Sequence, residues 1–274
     1  MITRTSINAT GQEGLSSNIW GNLPLDEYLT AGNSEGLAHF DDFYTGLTFA
    51  SATAQCGNLT YQDTGVTMKG LTTSYIGELE VAGNSTDNDE GSIQAPGSGV
   101  CPAVAFSQTA GSVYEMAFEA RVKKASIADN ALAFFCGLAT IGGASADILV
   151  DNTGALKATH SFVGFHTLHA AGEVLIAAYQ KTGKAKVDVD ATAATLVADT
   201  YVKLGIVFDG YRTVKYFVDG VEIGSVNLAS ATTFPVDIGM APLFATKVGA
   251  SAESKAYMDW WCVARYRKSG GVRS

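Results

Sequence analysis

Hydrophobic and polar positions alternate most regularly over residues 201–228, which read YVKLGIVFDGYRTVKYFVDGVEIGSVNL. Three short runs rich in Val, Ile, Phe and Tyr are separated by Asp209-Gly210 and by Asp219-Gly220. Asp-Gly between alternating apolar residues is a strong local signal for a β-hairpin, because both central residues of a type I′ turn need a positive φ. The stretch therefore predicts three consecutive antiparallel strands.

Short β-prone runs continue from Phe40 onward, interrupted by Gly, Asn or Asp at a spacing of about 8–12 residues. Residues 113–123 alternate, so we expect Glu115, Glu119, Arg121 and Lys123 on the wet face of a strand. Residues 131–139, ALAFFCGLA, are apolar on both faces and predict a covered central strand. The pattern predicts one all-β sandwich or jelly roll over residues 40–266 and a flexible C-terminal tail over residues 267–274.

The first 39 residues show no sustained periodicity and predict an extended N-terminal arm, with one short helix near Leu25–Leu29. Isolated apolar residues in the arm favour wrapping around a partner over disorder, because disordered segments usually lack such anchors. A secondary contact is expected from the basic stretch that begins at Arg265; its alternative interpretation is a solvated tail. The predicted partner-binding residues are Ile19, Trp20, Leu23, Pro24, Leu25, Arg265, Arg267 and Lys268.

Composition narrows the range of partners. Charged residues make up only 16% of the chain and the net charge is −9, compared with about 25% charged residues in an average soluble protein. No basic cluster has the density of a phosphate-binding surface, so nucleic acid is not an expected partner. No apolar run is long enough to cross a membrane, and the N-terminus lacks the apolar segment of a signal peptide. We therefore expect synthesis in a host cytoplasm and no membrane partner.

The four cysteines, Cys56, Cys101, Cys136 and Cys262, are widely spaced and form no CxxC pair. Zinc sites usually need closely paired ligands, so the spacing predicts no zinc site. Reduced, buried thiols are expected in a cytoplasm, and a Cys56–Cys101 disulfide is the alternative in an oxidising medium. No cofactor is predicted.

The candidate acids and metal ligands in the sequence are explained more simply by surface charge, a loop and satisfied histidines than by catalysis or metal binding. Asp188 and Asp190 lie two positions apart and fit the wet side of an edge strand, with calcium binding or catalysis as alternatives. The DNDEG stretch at residues 87–91 resembles half of a calcium loop but fits a flexible acidic loop better. His160, His166 and His169 have no neighbouring carboxylate or thiolate in the sequence and are expected to be satisfied or exposed.

Several segments together resemble the concanavalin A-like (laminin G-like) jelly rolls that are common among virion proteins of tailed bacteriophages. The resemblance covers roughly residues 40–266, and its segments follow one another in the family's order. The residues that carry it are Phe40-Asp41-Asp42-Phe43, Phe118–Val122 with Phe134–Ala139, Val163-Gly164-Phe165, Phe217–Gly220, Met240–Phe244 and Tyr257–Trp261. The sequence has no Glu-x-Asp-x-x-Glu acid cluster like that of the enzymatic branches.

This resemblance implies a non-enzymatic structural protein of a phage virion. The expected role is that of a capsid decoration (cement) protein, which binds the major capsid protein on the outer surface of the capsid as a dimer or trimer. The alternative is a glycan-binding module for host adhesion on the virion head or tail. Exposed aromatic side chains would serve that module, and Tyr44, Tyr75 and Tyr211 are its candidates.

Overall fold

The computed structural model describes residues 14–21, 36–43, 49, 54–56, 59–73, 76–84, 86–95, 104–107, 114–249 and 254–267. At positions 36, 54–56, 72, 73, 76, 104, 266 and 267 the description covers the backbone only. None of the helices in these ranges is long and apolar enough to span a membrane.

Two antiparallel sheets account for most of the described chain, which confirms the predicted all-β jelly-roll sandwich. Sheet one has the order β15-β14-β13-β8-β17-β5-β4, with β1 also paired to β17. Its strands are β1 (Gly36–Asp41), β4 (Thr67–Thr73), β5 (Ile76–Ala82), β8 (Tyr114–Lys124), β13 (Val202–Phe208), β14 (Thr213–Val218), β15 (Val221–Asn227) and β17 (Lys255–Arg267).

Sheet two has the order β12-β11-β10-β9-β16-β6-β3-β2, with β7 also paired to β16. Its strands are β2 (Ala54–Cys56), β3 (Leu59–Thr64), β6 (Glu90–Gln94), β7 (Val104–Ala105), β9 (Leu132–Thr140), β10 (Phe162–Leu168), β11 (Ala171–Gln180), β12 (Val187–Thr195) and β16 (Gly239–Val248). Helical segments are short: α1 spans Ser17–Trp20, and one 3-10 turn spans Gly143–Ser145.

The main core lies between the two sheets and is rich in aromatic side chains. Phe165 and Tyr216 meet across it with ring centroids 5.7 Å apart, and Phe43 contacts Trp261 at 5.7 Å. Large buried rings of this kind supply much of the apolar area that stabilises a sandwich. The predicted central strand is confirmed, because β9 lies between β10 and β16 and its residues 132–139 are buried.

The three strands predicted around the Asp-Gly pairs are present as β13, β14 and β15. Asp219 and Gly220 both have a positive φ, 49° and 76°, as a type I′ turn requires. The connection between β13 and β14 is longer. Of its Asp209-Gly210 pair, only Gly210 has a positive φ. There the Asp209 carboxylate accepts hydrogen bonds from the backbone N–H groups of residues 211, 212 and 213, at 2.8–2.9 Å. Both aspartates therefore act as turn residues.

One predicted boundary differs from the structure. The predicted limit of the N-terminal arm, between residues 39 and 40, falls inside β1, which pairs with β17. The helix predicted near Leu25–Leu29 lies outside the described residues. The place of β1 depends on its pairing with a strand far along the chain, which local periodicity does not show.

Candidate functional site

The outer face of sheet two carries a second, smaller apolar cluster that fixes the segment after β9. Ile148, Leu149 and Leu156 from this segment pack on Phe135, Phe162, Leu243 and Ala245 of the sheet. A backbone hydrogen bond from Lys157 N to Ile148 O, 2.8 Å long, closes the segment on itself. The segment therefore holds its polar residues at fixed positions above the sheet.

A buried lysine lies at the centre of the polar site that results. Lys247 on β16 pairs directly with Glu90 on β6 in the register of the two strands, and its side chain is only 3% exposed. Its Nζ lies 3.2 Å from Glu90 Oε2, 2.8 Å from Asp147 Oδ1 and 2.8 Å from Asp151 Oδ1. Three carboxylates thus surround one ammonium group, and we call these four residues the acid centre.

The charges in the acid centre do not balance without a shared proton. Lys157 donates to Asp147 Oδ2 at 2.6 Å, so two ammonium groups face three carboxylates. Burial and the neighbouring Asp147 carboxylate raise the pKa of Glu90 to about 7, although Lys247 opposes the shift. Burial would also raise the pKa of Asp147, but hydrogen bonds from Glu90, Lys157 and Lys247 lower it to about 2. Glu90 therefore holds the proton that the two carboxyl groups share.

The acid centre is accessible from one side. The side chains of Glu90 and Lys247 are nearly buried, whereas that of Asp151 is 56% exposed and that of Asp147 is 32% exposed. Gln62 donates from Nε2 to Glu90 Oε1 at 2.7 Å and fixes the side of the carboxyl that faces away from Lys247. The arrangement can donate a proton from Glu90 to a bound molecule and can stabilise positive charge next to Asp151.

The sequence analysis did not identify the acid centre. Glu90 lies in the DNDEG stretch, which was interpreted as a flexible loop, but it begins a strand and binds Lys247. Asp147, Asp151 and Lys247 were not selected as candidates. The available signal was a lysine in the strand GMAPLFATKV, where every neighbouring side chain is buried, because a lysine is almost never fully buried unless it is paired.

A second polar cluster lies on the outer face of sheet one, and its cations are at least as many as its carboxylates. Glu80 on β5 pairs with Lys69 at 2.9 Å and with Lys255 at 3.2 Å. Arg121 on β8 pairs with Asp259, and its guanidinium lies 3.9 Å from the centre of the Tyr201 ring. Each of these carboxylates has a cation of its own, so this cluster ties strands together and carries no displaced proton.

Ile19 and Trp20, two of the predicted partner-binding residues, are buried against this chain's own sheet one. They pack with Ala117, Phe217, Cys262 and Ala264. The indole Nε1–H of Trp20 donates to Glu119 Oε2 at 2.7 Å, and the backbone N–H of Ser16 donates to the same oxygen at 2.9 Å. In this structure both anchors serve the fold, because α1 covers the outer face of the sheet.

The prediction that Glu119 lies on a wet face is wrong for the same reason. Its side chain does point away from the main core, but α1 and Trp20 cover it and the residue is fully buried. Burial raises the pKa of the Glu119 carboxyl above its usual range, although hydrogen bonds from Ser16 and Trp20 oppose the shift.

The other predicted partner-binding residues receive less structural information. Arg265 is half-buried, and its guanidinium lies 5.5 Å from the centre of the Tyr114 ring. Arg267 ends β17, with only its backbone described. Leu23, Pro24, Leu25 and Lys268 lie outside the described residues, as do Tyr44 and Tyr75 among the glycan candidates; a role of these residues in partner binding stays a prediction.

Most of the predicted histidines and thiols can be placed: His160 Nδ1 lies 2.9 Å from Thr159 Oγ1, whereas Cys101 lies outside the described residues and only the backbone of Cys56 is described. His166 is buried, its Nε2 lies 3.2 Å from Lys186 Nζ, and burial lowers its pKa to about 3. His169 Nε2 lies 3.1 Å from the carbonyl oxygen of Lys247. Cys136 and Cys262 are free and buried. Within the described ranges, no group of three or more His, Cys, Asp or Glu side chains could hold a metal ion.

Asp188 and Asp190 lie on β12, the edge strand of sheet two, as predicted. Asp188 pairs with Lys186 at 2.5 Å, and Asp190 accepts the backbone N–H of Thr192 at 2.9 Å. Both carboxylates have protein partners on a solvent-facing strand, which supports the interpretation as solvated surface charge.

No protein-family model matches the chain, and no curated protein matches it in sequence. Solved structures do share its fold. A protein of unknown function from Shewanella oneidensis MR-1 is 14% identical, with a TM-score of 0.57 over 95% of this chain and 99% of that one. The endo-1,3-β-glucanase of Streptomyces sioyaensis is 11% identical, with a TM-score of 0.55 over 85% and 98%. SCLam, a non-specific endo-β-1,3(4)-glucanase from glycoside hydrolase family 16, is 9% identical, with a TM-score of 0.55 over 86% and 93%.

These comparisons confirm the concanavalin A-like jelly roll and correct one further expectation. They support the resemblance for the fold, and a phage origin stays a prediction. The prediction that the chain is not an enzyme is contradicted, because two of the structures that share its fold are endo-glucanases. At this level of identity the likeness shows the fold alone, and the fold by itself does not assign a reaction.

Proposed function

We propose that this chain hydrolyses a neutral glycan and that the acid centre of Glu90, Asp147, Asp151 and Lys247 carries out the chemistry. Glycoside hydrolysis needs one carboxyl that is protonated near neutral pH and a second carboxylate close to it. The observation that carries the proposal is the placement of three carboxyl groups around one buried ammonium group, 2.8–3.2 Å from Lys247 Nζ, and the raised pKa of Glu90 agrees with it.

The contacts with Lys247 set an upper limit to the spacing within the acid centre, and this limit includes the spacing of retaining glycosidases. Glu90 Oε2 and Asp151 Oδ1 lie 3.2 and 2.8 Å from the same Nζ, so the two oxygens are at most 6.0 Å apart. Retaining glycosidases place their two carboxyl groups about 5–5.5 Å apart. Asp147 contacts Glu90 too closely to flank a substrate bond with it, and its part is to keep the proton on Glu90.

Each residue then has a defined role. Glu90 donates its proton to the leaving oxygen of the glycosidic bond, and Asp151 is the exposed carboxylate that faces the anomeric carbon. Asp151 forms a bond to the anomeric carbon as the glycosidic C–O bond breaks; water then attacks that carbon and displaces Asp151, and Glu90 takes the proton from that water and is restored to its acid form. Lys247 holds both carboxyl groups in place. The names of the structurally similar glucanases support a β-glucan as the first substrate class to test.

The test measures reducing ends released from laminarin and from mixed-linkage barley β-glucan. We expect release by the unmodified chain and a loss of about 100-fold or more in Glu90→Gln, since general acid catalysis contributes about 10²–10⁴-fold. Asp188→Asn, on an exposed carboxylate of the edge strand, is the matched control and should keep full activity. Equal rates for Glu90→Gln and the unmodified chain, or no release from any glycan, contradict the proposal.

A place on a phage capsid, with the major capsid protein as partner and a dimeric or trimeric state, stays a prediction. The burial of Ile19 and Trp20 in the chain's own fold removes two of the contacts on which it was based. The copy number of the chain in purified particles is the measurement that decides it, since a cement protein is present in hundreds of copies.

A further inference from the structure

A groove of about 620 Å³ lies between α1 and the outer face of sheet one. One wall is formed by α1, and the floor and far wall come from β8, β13, β14 and β15. Ligand sites in proteins commonly have volumes of about 300–1,000 Å³, so the groove has the size of a site for a few sugar units. It lies on the opposite side of the sandwich from the acid centre, which is on sheet two.

Three contacts hold the α1 wall in place on sheet one. Ile19 fits against Gly205 of β13, where a Cβ would lie 2.2 Å from Ile19 Cδ1. Asn18 Nδ2 donates to the carbonyl oxygen of Gly220 at 2.9 Å, and Trp20 is bound to the buried Glu119. The groove is therefore formed before any ligand arrives, which lowers the entropic cost of binding.

The lining combines an apolar floor with polar side chains at the rim. Val207 and Phe217 form part of the floor. Lys215 and Glu222 stand at the rim as an ion pair 2.7 Å long, with side chains 44% and 41% exposed. The apolar C–H faces of sugar rings pack on such a floor, and sugar hydroxyls donate to carboxylates and accept from ammonium groups.

The charge of the side chains that line the groove indicates which ligands of this size it can bind. The charged side chains that line the groove are Glu115, Asp209 and Glu222 against Lys215 alone. This excess of negative charge disfavours nucleic acids and acidic polysaccharides. Tyr211, in the turn that also contains the lining residue Asp209, is 60% exposed, and the Arg212 guanidinium lies 4.7 Å from the centre of its ring.

We propose that this groove, the α1 groove, binds a neutral polysaccharide chain at a distance from the acid centre. The ligand class rests on the proposed function, and the location rests on the groove itself. Because the two sites lie on opposite faces of the sandwich, the α1 groove holds the polymer without taking part in bond cleavage. It should therefore raise affinity for long chains and leave the hydrolysis of short oligosaccharides unchanged.

The experiment measures binding of laminarin and barley β-glucan by isothermal titration calorimetry in a Glu90→Gln background, so that the ligand is not consumed. The groove variant replaces both partners of the rim ion pair, Lys215→Ala with Glu222→Ala. The matched control removes another surface ion pair, Lys186→Ala with Asp188→Ala, on sheet two. We expect the groove variant to bind about tenfold more weakly, as loss of hydrogen bonds to charged groups implies, and the control to bind normally. Tyr211→Ala should also weaken binding, and Phe40→Ala, on an exposed ring away from the groove, should not.

The outcomes separate the two proposals. Weaker polymer binding by the groove variant, with unchanged hydrolysis of short oligosaccharides when Glu90 is restored, supports the α1 groove. Normal binding by both Lys215→Ala/Glu222→Ala and Tyr211→Ala overturns it, even if Glu90→Gln abolishes hydrolysis. If the unmodified chain neither binds nor cleaves any of the glycans, the proposed function fails and the ligand class fails with it.

Discussion

Replacing Lys247 by Met tests the electrostatics of the acid centre directly. Met has a similar volume and no charge, so the substitution removes the ammonium group and leaves three carboxyl groups facing one another. Removing one partner of a buried ion pair costs about 3–5 kcal/mol, because the remaining charge is left uncompensated. Asp147 and Asp151 reach solvent on one side, so we expect a smaller loss, about 2–3 kcal/mol at pH 7.5.

The loss should depend on pH in a defined direction. Hydrogen bonds, including one from Lys247, lower the pKa of Asp147 to about 2 against the effect of burial. The stabilisation from this carboxylate is therefore present above its ordinary pKa and is lost only as the pH falls toward 2. Without Lys247 the three carboxyl groups take up protons at higher pH, which relieves their repulsion. The gap between the variant and the unmodified chain should therefore narrow as the pH falls from 7.5 to 3.5.

Thermal unfolding followed by circular dichroism provides the assay. For a chain of this length, 1 kcal/mol corresponds to about 2 °C in Tm, so we expect Lys247→Met to lower Tm by about 5 °C at pH 7.5. Lys215→Met is the matched control, because Lys215 forms an exposed ion pair with Glu222, and such pairs contribute about 0–1 kcal/mol. A variant at Lys247 that matches the unmodified chain at pH 7.5, or loses the same stability at both pH values, would contradict this electrostatic role of Lys247.

Two further predictions concern buried carboxyl groups. Trp20→Phe removes the indole donor to Glu119 and should cost about 1.5–3 kcal/mol in urea unfolding, whereas Tyr211→Phe, on an exposed ring, should cost almost nothing; equal losses would contradict the role of the indole. Because the pKa of Glu90 is raised to about 7, the folded chain keeps a proton that the unfolded chain releases above its ordinary pKa, and stability falls as the pH rises through this interval. Glu90→Gln cannot ionise, so its stability relative to the unmodified chain should rise by about 1–2 kcal/mol between pH 5 and pH 8, and parallel pH curves would contradict this.

Local patterns were sufficient to predict several strands of the sandwich. β13, β14 and β15 follow from alternation and from two Asp-Gly pairs within 28 residues, since turn chemistry and period-two patterning act over short distances. The apolar run at β9 likewise predicted a covered central strand. These features need no information from the rest of the chain.

The acid centre could not be predicted in this way. Glu90 and Lys247 are 157 positions apart, and Asp147 comes from a segment whose place is set by packing on sheet two. The burial of Glu119 depends on Trp20, which lies 99 positions earlier. Periodicity shows which face of a strand a side chain occupies, but not which distant segment covers that face.

The pairing of β1 with β17 bears on the order in which the chain folds during synthesis. β1 ends at Asp41, and the strand that completes it begins at Lys255. α1 packs on Cys262 and Ala264 of the same late strand. At about 5–20 residues per second, roughly 10–40 s separate the synthesis of the two strands. The apolar side chains of the N-terminal segment therefore stay exposed until β17 has been synthesised. During this interval the nascent chain is most accessible to chaperones and most prone to aggregation.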